Sequence, residues 1–225
     1  MLVSVCVITF NHEKYIEQAI KSILSQETNF PIELVIGDDC SIDNTSKIIL
    51  KYKKKYPKKI VYLRRKKNLG MMKNFIDTLK HCRGKYIAMC EGDDCWIDPN
   101  KLQKQVDFLE NNLEFSISTH NVFIKDEITG KQHEWLGKQH RRVSTLKEIL
   151  RYGSGGATCS LVIRSQAIKV LPAWFKSLPG GDWALQVLAC KEGNLIYMLK
   201  PMAVYRRHEG GKTNVTKPDD LIRIY

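Results

Sequence analysis

The stretch Tyr86-Ile87-Ala88-Met89-Cys90-Glu91-Gly92-Asp93-Asp94 ends an apolar run in three carboxylates. The apolar part reads as a buried strand and the acids as its exit into a loop. Carboxylates packed this closely repel one another. They are tolerable where they face water, where some are protonated, or where a hard cation binds among them. A second acidic pair, Asp38-Asp39, ends another apolar run, from Ile32 to Gly37. Acids at two strand ends predict one shared site at the carboxyl edge of a sheet, where open α/β sheets bind ligands. The chain has seven cysteines. None forms a C-x-x-C pair and no His stands near Cys90 or Cys95, which argues against a zinc site. Their odd number and apolar surroundings predict reduced, structural thiols in a cytoplasm. His81, His120, His133 and His140 show no readable ligand spacing.

The elements that would position these acids alternate. Leu2 to Phe10, Ile32 to Gly37, Ile60 to Leu63 and Tyr86 to Cys90 read as strands. Helical spacing follows each: Tyr15, Ile16, Ala19, Ile20, Ile23 and Leu24; Ile48, Ile49 and Tyr52, ended by Pro57; Phe75, Ile76 and Leu79; Leu102, Val106 and Leu109. Asn11 and Asp43 are expected to cap the first two helices. This order predicts an α/β fold with a Rossmann-like, mainly parallel sheet flanked by helices and joined by right-handed crossovers. After about residue 112 the pattern changes. Phe115 to Ile124, Ala157 to Ile163, Leu195 to Leu199 and Ala203 to Tyr205 read as strands. Ser144 to Arg151 and the run after Gly180-Gly181-Asp182 read as helices. Asp126 to Arg142 reads as a hairpin or mobile loop. One domain over 1–225 is therefore expected: a half that binds a nucleotide-like group (1–112), a smaller half that shapes a partner pocket (113–208) and a polar tail (209–225).

At 225 residues and 43% hydrophobic, the chain can bury a sizeable core, and disorder is excluded. The formal net charge of +12 is concentrated in Lys51–Lys59 (KYKKKYPKK) and Arg64–Lys67 (RRKK). A solvated face is the bland explanation; anionic lipid or a phosphate-bearing substrate is the alternative. Nucleic acid is disfavoured, because no helix-turn-helix, zinc-finger or RNP-like pattern is present. No apolar stretch reaches the ~18 residues of a membrane span. The amino terminus enters a β-like run with no basic leader, so no signal peptide is expected. The predicted location is cytoplasmic, with peripheral contact at the inner membrane face open to the basic segment.

Taken in order, the motifs are similar to those of a known family. Val5-Cys6-Val7-Ile8-Thr9-Phe10-Asn11-His12 matches an opening strand, and Gly37-Asp38-Asp39-Cys40-Ser41-Ile42-Asp43-Asn44-Thr45 a D-D-G-S-x-D-x-T segment. Asn68-Leu69-Gly70 matches N-x-G, and Glu91-Gly92-Asp93-Asp94 a D-x-D-type metal motif followed by Asp98-Pro99-Asn100-Lys101-Leu102. Gly181-Asp182-Trp183 matches an acceptor-side acidic motif and Tyr205-Arg206-Arg207-His208 a late Y-R-x-H. Nearly the whole chain thus resembles family 2 glycosyltransferases of the GT-A fold, especially bacterial enzymes of capsule, O-antigen and other surface-glycan assembly. It departs from the pattern at Glu91, where Asp is commoner, and at Cys40, where Gly is usual. With Cys there, the turn after Asp39 is expected not to use a Gly-only conformation.

The resemblance implies inverting transfer of a sugar from a nucleotide-diphosphate donor, such as a UDP-sugar, to an acceptor hydroxyl on a glycan or lipid-linked acceptor. It implies Mn²⁺ or Mg²⁺ on the donor phosphates. Asp94 is the expected metal ligand, with Asp93 on the ribose or helping to hold the ion and Glu91 behind them. Asp39 is expected to accept from the imide N–H of a uracil-like base, with Thr9 and Asn11 lining the same pocket, and Asn68 and Gly70 bring backbone to the donor. Asp38 orients the turn. Asp182 is the expected general base, an ordinary helix cap being its alternative. His208 and Arg206 or Arg207 would hold the departing diphosphate, His208 also as a metal ligand. Trp183 and Trp96 would stack on sugar or belong to the core. The rivals are a sugar nucleotidyltransferase, which usually has a Gly-rich loop where this chain reads TFNHEKY, and an inactive carbohydrate-binding module, which predicts missing acids.

Overall fold

The computed structural model describes residues 2–135 and 141–211. Gly137, His140 and most of the expected polar tail, 212–225, lie outside the described residues. Among the described residues, ten strands form one continuous sheet, through both halves of the chain. Four are parallel and central to the site: β1 (Val3–Thr9), β2 (Ile32–Asp38), β3 (Ile60–Arg64) and β4 (Tyr86–Glu91), in spatial order β3-β2-β1-β4. Helices α1 (Ile16–Leu24), α2 (Thr45–Lys55) and α3 (Met71–Lys80) connect them in chain order. β5 (Cys95–Trp96) and α4 (Lys101–Asn111) follow, then β6 (Phe115–Asp126), β7 (Gln132–Glu134), β8 (Val143–Ser144), α5 (Leu146–Tyr152), β9 (Val162–Arg164), α6 (Asp182–Cys190) and β10 (Asn194–Arg207).

β1 explains why the sheet is buried on both faces. Its successive residues alternate between two layers. Val3, Val5 and Val7 pack with Ile16, Ile20, Ile49, Leu102 and Val106 from α1, α2 and α4. Cys6 faces the layer of Met72, Phe75, Leu79, Leu185 and Ala189 from α3 and α6. β4 divides likewise, Tyr86, Ala88 and Cys90 against Ile87 and Met89.

Register aligns the strand ends. Thr9 pairs with Asp38, and Ile8 with Glu91. The carboxyl ends of β1, β2 and β4 therefore finish side by side. Beyond β4 the sheet is mixed. β9 is antiparallel to β4 and β6, β10 is parallel to β6, and β5 is antiparallel to β10. The two late strands expected at 195–199 and 203–205 are one strand, β10, with an irregularity between Met198 and Ala203. The strand expected over 157–163 is a 3₁₀ turn, Thr158–Ser160, followed by the shorter β9. β5 was not legible as a strand, because two residues carry no periodicity. It matters nonetheless. Its pairing of Trp96 with Ala203 and Cys95 with Val204 brings the end of β10 beside Asp93 and Asp94.

Candidate active site

The site begins with two loops tied together. Asn11, at φ +55°, does not cap α1; its N–H donates to Ser41 Oγ (3.0 Å), and its Oδ1 accepts from the Ile42 N–H (2.9 Å). Short polar side chains tolerate this left-handed backbone better than most, and Asn11 spends its side chain on the neighbouring loop. Asp43 acts one residue outside the expected position. Asn44 is the α2 cap residue, and Asp43 Oδ1 accepts the Thr45 N–H (2.9 Å) while Oδ2 accepts that of Glu13 (3.0 Å). Cys40 corrects another expectation. Its φ is +66°, so the turn keeps the conformation a glycine would adopt, with a cysteine in it.

Asp38 is wholly buried and orients this turn. Its carboxylate accepts the Ser41 N–H (2.9 Å) and the hydroxyls of Ser46 (2.6 Å) and Tyr62 (2.7 Å). Burial pushes its pKa up, but these bonds outweigh it and hold the carboxyl below its ordinary value. Asp39 anchors the loop after β3, accepting the N–H groups of Leu69 (2.7 Å) and Gly70 (2.9 Å), one on each oxygen. Each oxygen keeps a further acceptor site. Gly70, at φ +82°, needs its glycine to make that turn into α3, and exposed Asn68 also accepts its N–H (2.9 Å).

The acids after β4 meet the end of β10. Gly92 donates to the Ile8 carbonyl (2.9 Å), and a Cβ on it would lie 2.5 Å from Thr9 Oγ1 and 2.9 Å from His12 Nδ1. Only a glycine lets the two loops approach so closely. Asp93 Oδ2 lies 3.0 Å from His208 Nε2 and 3.7 Å from His12 Nε2. The second nitrogen of His12, Nδ1, bonds Thr9 Oγ1 (3.2 Å). Burial alone would raise the Asp93 pKa; the His208 hydrogen bond and the two imidazoles reverse this and hold it below the ordinary range. Burial lowers the pKa of His12 despite Asp93, favouring the neutral imidazole that binds metals.

Asp94 is buried, 1% exposed. Its Oδ1 accepts the Arg206 N–H (2.9 Å), and its Oδ2 lacks an N–H or O–H partner among the described residues, with the Cys159 thiol alongside. Burial, and then repulsion by Asp93, push its pKa well above the carboxylate range. An orphaned buried oxygen beside a second acid fits a cation site. Glu91, Asp93 and Asp94 offer ligand atoms within 4.8 Å of one another, and so do His12, Asp93 and His208. Asp93 belongs to both sets.

Arg206 is not free to hold a diphosphate. It is 5% exposed, its guanidinium pairs with Glu127 (3.0 Å), bonds Gln18 and the Asp93 carbonyl, and lies over the Tyr15 ring. It supports the turn that carries the acids. Arg207 is exposed. Trp96 is core; its indole N–H donates to the Cys159 carbonyl (2.9 Å) and the Lys101 ammonium sits over its ring. Trp183 is half-buried, its N–H on the Ile149 carbonyl (3.2 Å). Asp182 is the first residue of α6. A Cβ on the preceding Gly181 would lie 3.4 Å from the Met72 side chain, in the first turn of α3, so Asp182 stands at the same sheet edge. It belongs to neither of these two sets. His12, Tyr15 and Glu127 had no assigned role. His12 could have been suspected from its place three residues after Thr9, in the loop that must face the acids; Glu127 could not, because its partner is 79 residues away.

The family model described as "Glycosyl transferase family 2" matches residues 4–168. An uncharacterised protein of Mycobacterium tuberculosis is 35% identical over 92% of the chain and 59% of its own length. The chain thus spans about three fifths of that relative. The Escherichia coli UDP-Glc:α-D-GlcNAc-diphosphoundecaprenol β-1,3-glucosyltransferase WfgD is 33% identical over 58% of the chain and 50% of its own length. The Staphylococcus aureus TarS structure, residues 1–349 with UDP-GlcNAc, superposes on 100% of the chain and 64% of its own, with a TM-score of 0.71 and 21% identity. At that identity the likeness shows the fold alone, and the fold is GT-A.

Proposed function

The chain belongs to glycosyl transferase family 2, and on that premise we propose that it moves a sugar from a nucleotide-diphosphate donor to an acceptor hydroxyl with inversion. The observation that carries this is the convergence of Asp39, Asp93, Asp94 and His208 on one sheet edge, with Asp182 at the start of a helix on that edge. Asp94 Oδ2, Asp93 and His208 would hold a Mn²⁺ or Mg²⁺ ion, with Glu91 in reach. That ion would neutralise the charge developing on the leaving diphosphate.

The chain's own residues do the rest. Asp39 offers a lone pair to the imide N–H of a uracil-like base, with Thr9 and Asn11 beside it. Asp182 takes the acceptor hydroxyl proton as that oxygen bonds to the anomeric carbon. The bond from that carbon to the diphosphate oxygen breaks on the opposite face, and the configuration inverts. Exposed Arg207 would face the departing diphosphate, whereas Arg206 positions Asp93 and Asp94. WfgD is named for a UDP-Glc donor and a diphosphoundecaprenol-linked acceptor. A UDP-sugar and a lipid-linked surface-glycan acceptor, met at the inner face of the membrane, are the corresponding reading for this chain.

A panel of nucleotide sugars screened by thermal shift with Mn²⁺ tests this. A ligand that binds only the native state raises the midpoint by mass action. At least one UDP-sugar should raise it, and no shift with any nucleotide sugar or nucleoside diphosphate would overturn the reading.

A further inference from the structure

We propose that His12 is a metal ligand, and that His12, Asp93 and His208 together select a transition-metal cation over Mg²⁺. The inference rests on the reading that this edge holds the donor diphosphate and its cation. It goes further by assigning a role to His12 and a preference to the ion.

Two imidazoles approach one carboxylate oxygen: Nε2 of His208 at 3.0 Å and Nε2 of His12 at 3.7 Å from Asp93 Oδ2. The three ligand atoms lie within 4.8 Å of one another. The rings come from different ends of the chain, His12 from the loop after β1 and His208 just beyond β10. Each ring is held. His12 Nδ1 bonds Thr9 Oγ1, which leaves Nε2 for the acid side. Anchoring the second nitrogen in this way fixes tautomer and ring orientation, as in known metal sites. His208 packs on Tyr15 (ring centroids 4.7 Å apart) and edge-to-face on His12 (5.8 Å). Gly92 removes the Cβ that would otherwise push His12 Nδ1 away.

The chemistry of the donor set decides the ion. Mg²⁺ prefers oxygen and gives up its water reluctantly. Two imidazoles and a carboxylate suit Mn²⁺, Co²⁺ or Zn²⁺, with affinity rising from Mn²⁺ to Co²⁺. The acid set Glu91, Asp93 and Asp94 alone would accept Mg²⁺ as readily as Mn²⁺. The imidazole pair tips that balance.

The test is metal binding by the nucleotide-free chain, followed by calorimetry and by the visible absorption of bound Co²⁺. The native protein should bind Co²⁺ and Mn²⁺ at least about tenfold more tightly than Mg²⁺. His12→Gln should weaken Co²⁺ about tenfold or more, the scale on which altered ligand shells act, change its absorption spectrum and leave Mg²⁺ binding unchanged. His12→Asp should restore binding but move the preference toward Mg²⁺; a merely structural His12 would not show this exchange. Circular dichroism establishes that each variant is folded, and an unfolded His12→Gln leaves His12→Asp to decide. Equal affinity for Co²⁺ and Mg²⁺, or a Co²⁺ spectrum unmoved by either substitution, overturns the inference. Metal-dependent UDP binding that survives His12→Gln with an unchanged metal preference sinks this inference and spares the glycosyltransferase reading. Selective Co²⁺ binding through His12, with no nucleotide binding under any metal, would do the reverse.

Discussion

The residues of the site divide into those proposed to meet ligand and those that hold them in place, and the hydrogen bonds already committed draw the line. Asp38 and Arg206 spend their polar atoms on backbone and neighbours, whereas among the described residues Asp94 commits only Oδ1. Asp93 faces His12 and His208, and Asp182 sits at a helix start. Asp182→Asn should therefore separate chemistry from binding. Asparagine keeps the shape but cannot take a proton, so turnover should fall by roughly 10²-fold or more while UDP affinity is retained. Near-normal turnover would make Asp182 a helix-terminal residue only. Glu148 would be a poor substitute, since its carboxylate already closes a capping box with Thr145 and pairs with Arg141. Cys40 carries a second expectation. A non-glycine residue at φ +66° carries strain of about 1–2 kcal/mol, partly offset by glycine's greater unfolded-state entropy. Cys40→Gly should raise the thermal midpoint, corresponding to about 1 kcal/mol; a lowered midpoint would show that the thiol contributes more than the strain costs. At this scale the sequence picked out the acids that gather at the sheet edge but not what each touches. Asp39 and Arg206 bind partners tens of residues away, and local patterns do not encode such pairings.

At the scale of elements, β1 to β4 and their helices were legible because strand runs and helical spacing are local signals. Each strand also proved longer at its carboxyl end or trimmed by a residue, as boundaries usually are. The mixed half of the sheet was not legible. β5 is two residues long, and the bulge in β10 reads as a gap between two strands. Helix α4 poses a question of its own. Lys101 is fully buried, bonded to Gln105 Oε1 (2.8 Å) and set over the Trp96 ring. Burial lowers its pKa from 10.5 to about 7, against the pull of Cys90 and Cys159. A lysine whose native pKa lies below its unfolded value takes up a proton on unfolding, so stability rises with pH between about 7 and 10.5. Denaturant titrations should show the native chain gaining on Lys101→Met across that window, by up to about 1 kcal/mol per pH unit. A constant difference between the two would show that Lys101 stays charged in the fold.

Across the whole molecule, topology gathers the candidate site at one edge. The carboxyl ends of β1, β2 and β4 finish together, and β10 returns to the same place. The basic residues fall on α2, at the end of β3 and on the loop after it, and Arg64 pairs in register with Asp38 at the same edge. Lys53, Lys54 and Lys55 lie in the last turn of α2, where they favour the helix dipole, and Lys51 pairs with Glu17. Arg65 is committed to Asp77, Asn74 and Thr78. That leaves Lys54, Lys55, Lys58, Lys59, Arg64, Lys66 and Lys67 exposed. No described helix is long and apolar enough to cross a membrane. If this face meets the membrane that carries a lipid-linked acceptor, co-sedimentation with anionic vesicles should occur at low salt and fall as salt rises. Absence of sedimentation at low salt would return the segment to a solvated face.

The central claim is that one edge of the sheet binds a nucleoside diphosphate through a cation held by Asp93, Asp94 and His208. Calorimetry of UDP binding tests it most directly, with Mn²⁺ and again with EDTA. The account predicts clearly tighter binding with the metal, and loss of that difference in Asp94→Asn with the fold intact. Equal affinity with and without metal would contradict it.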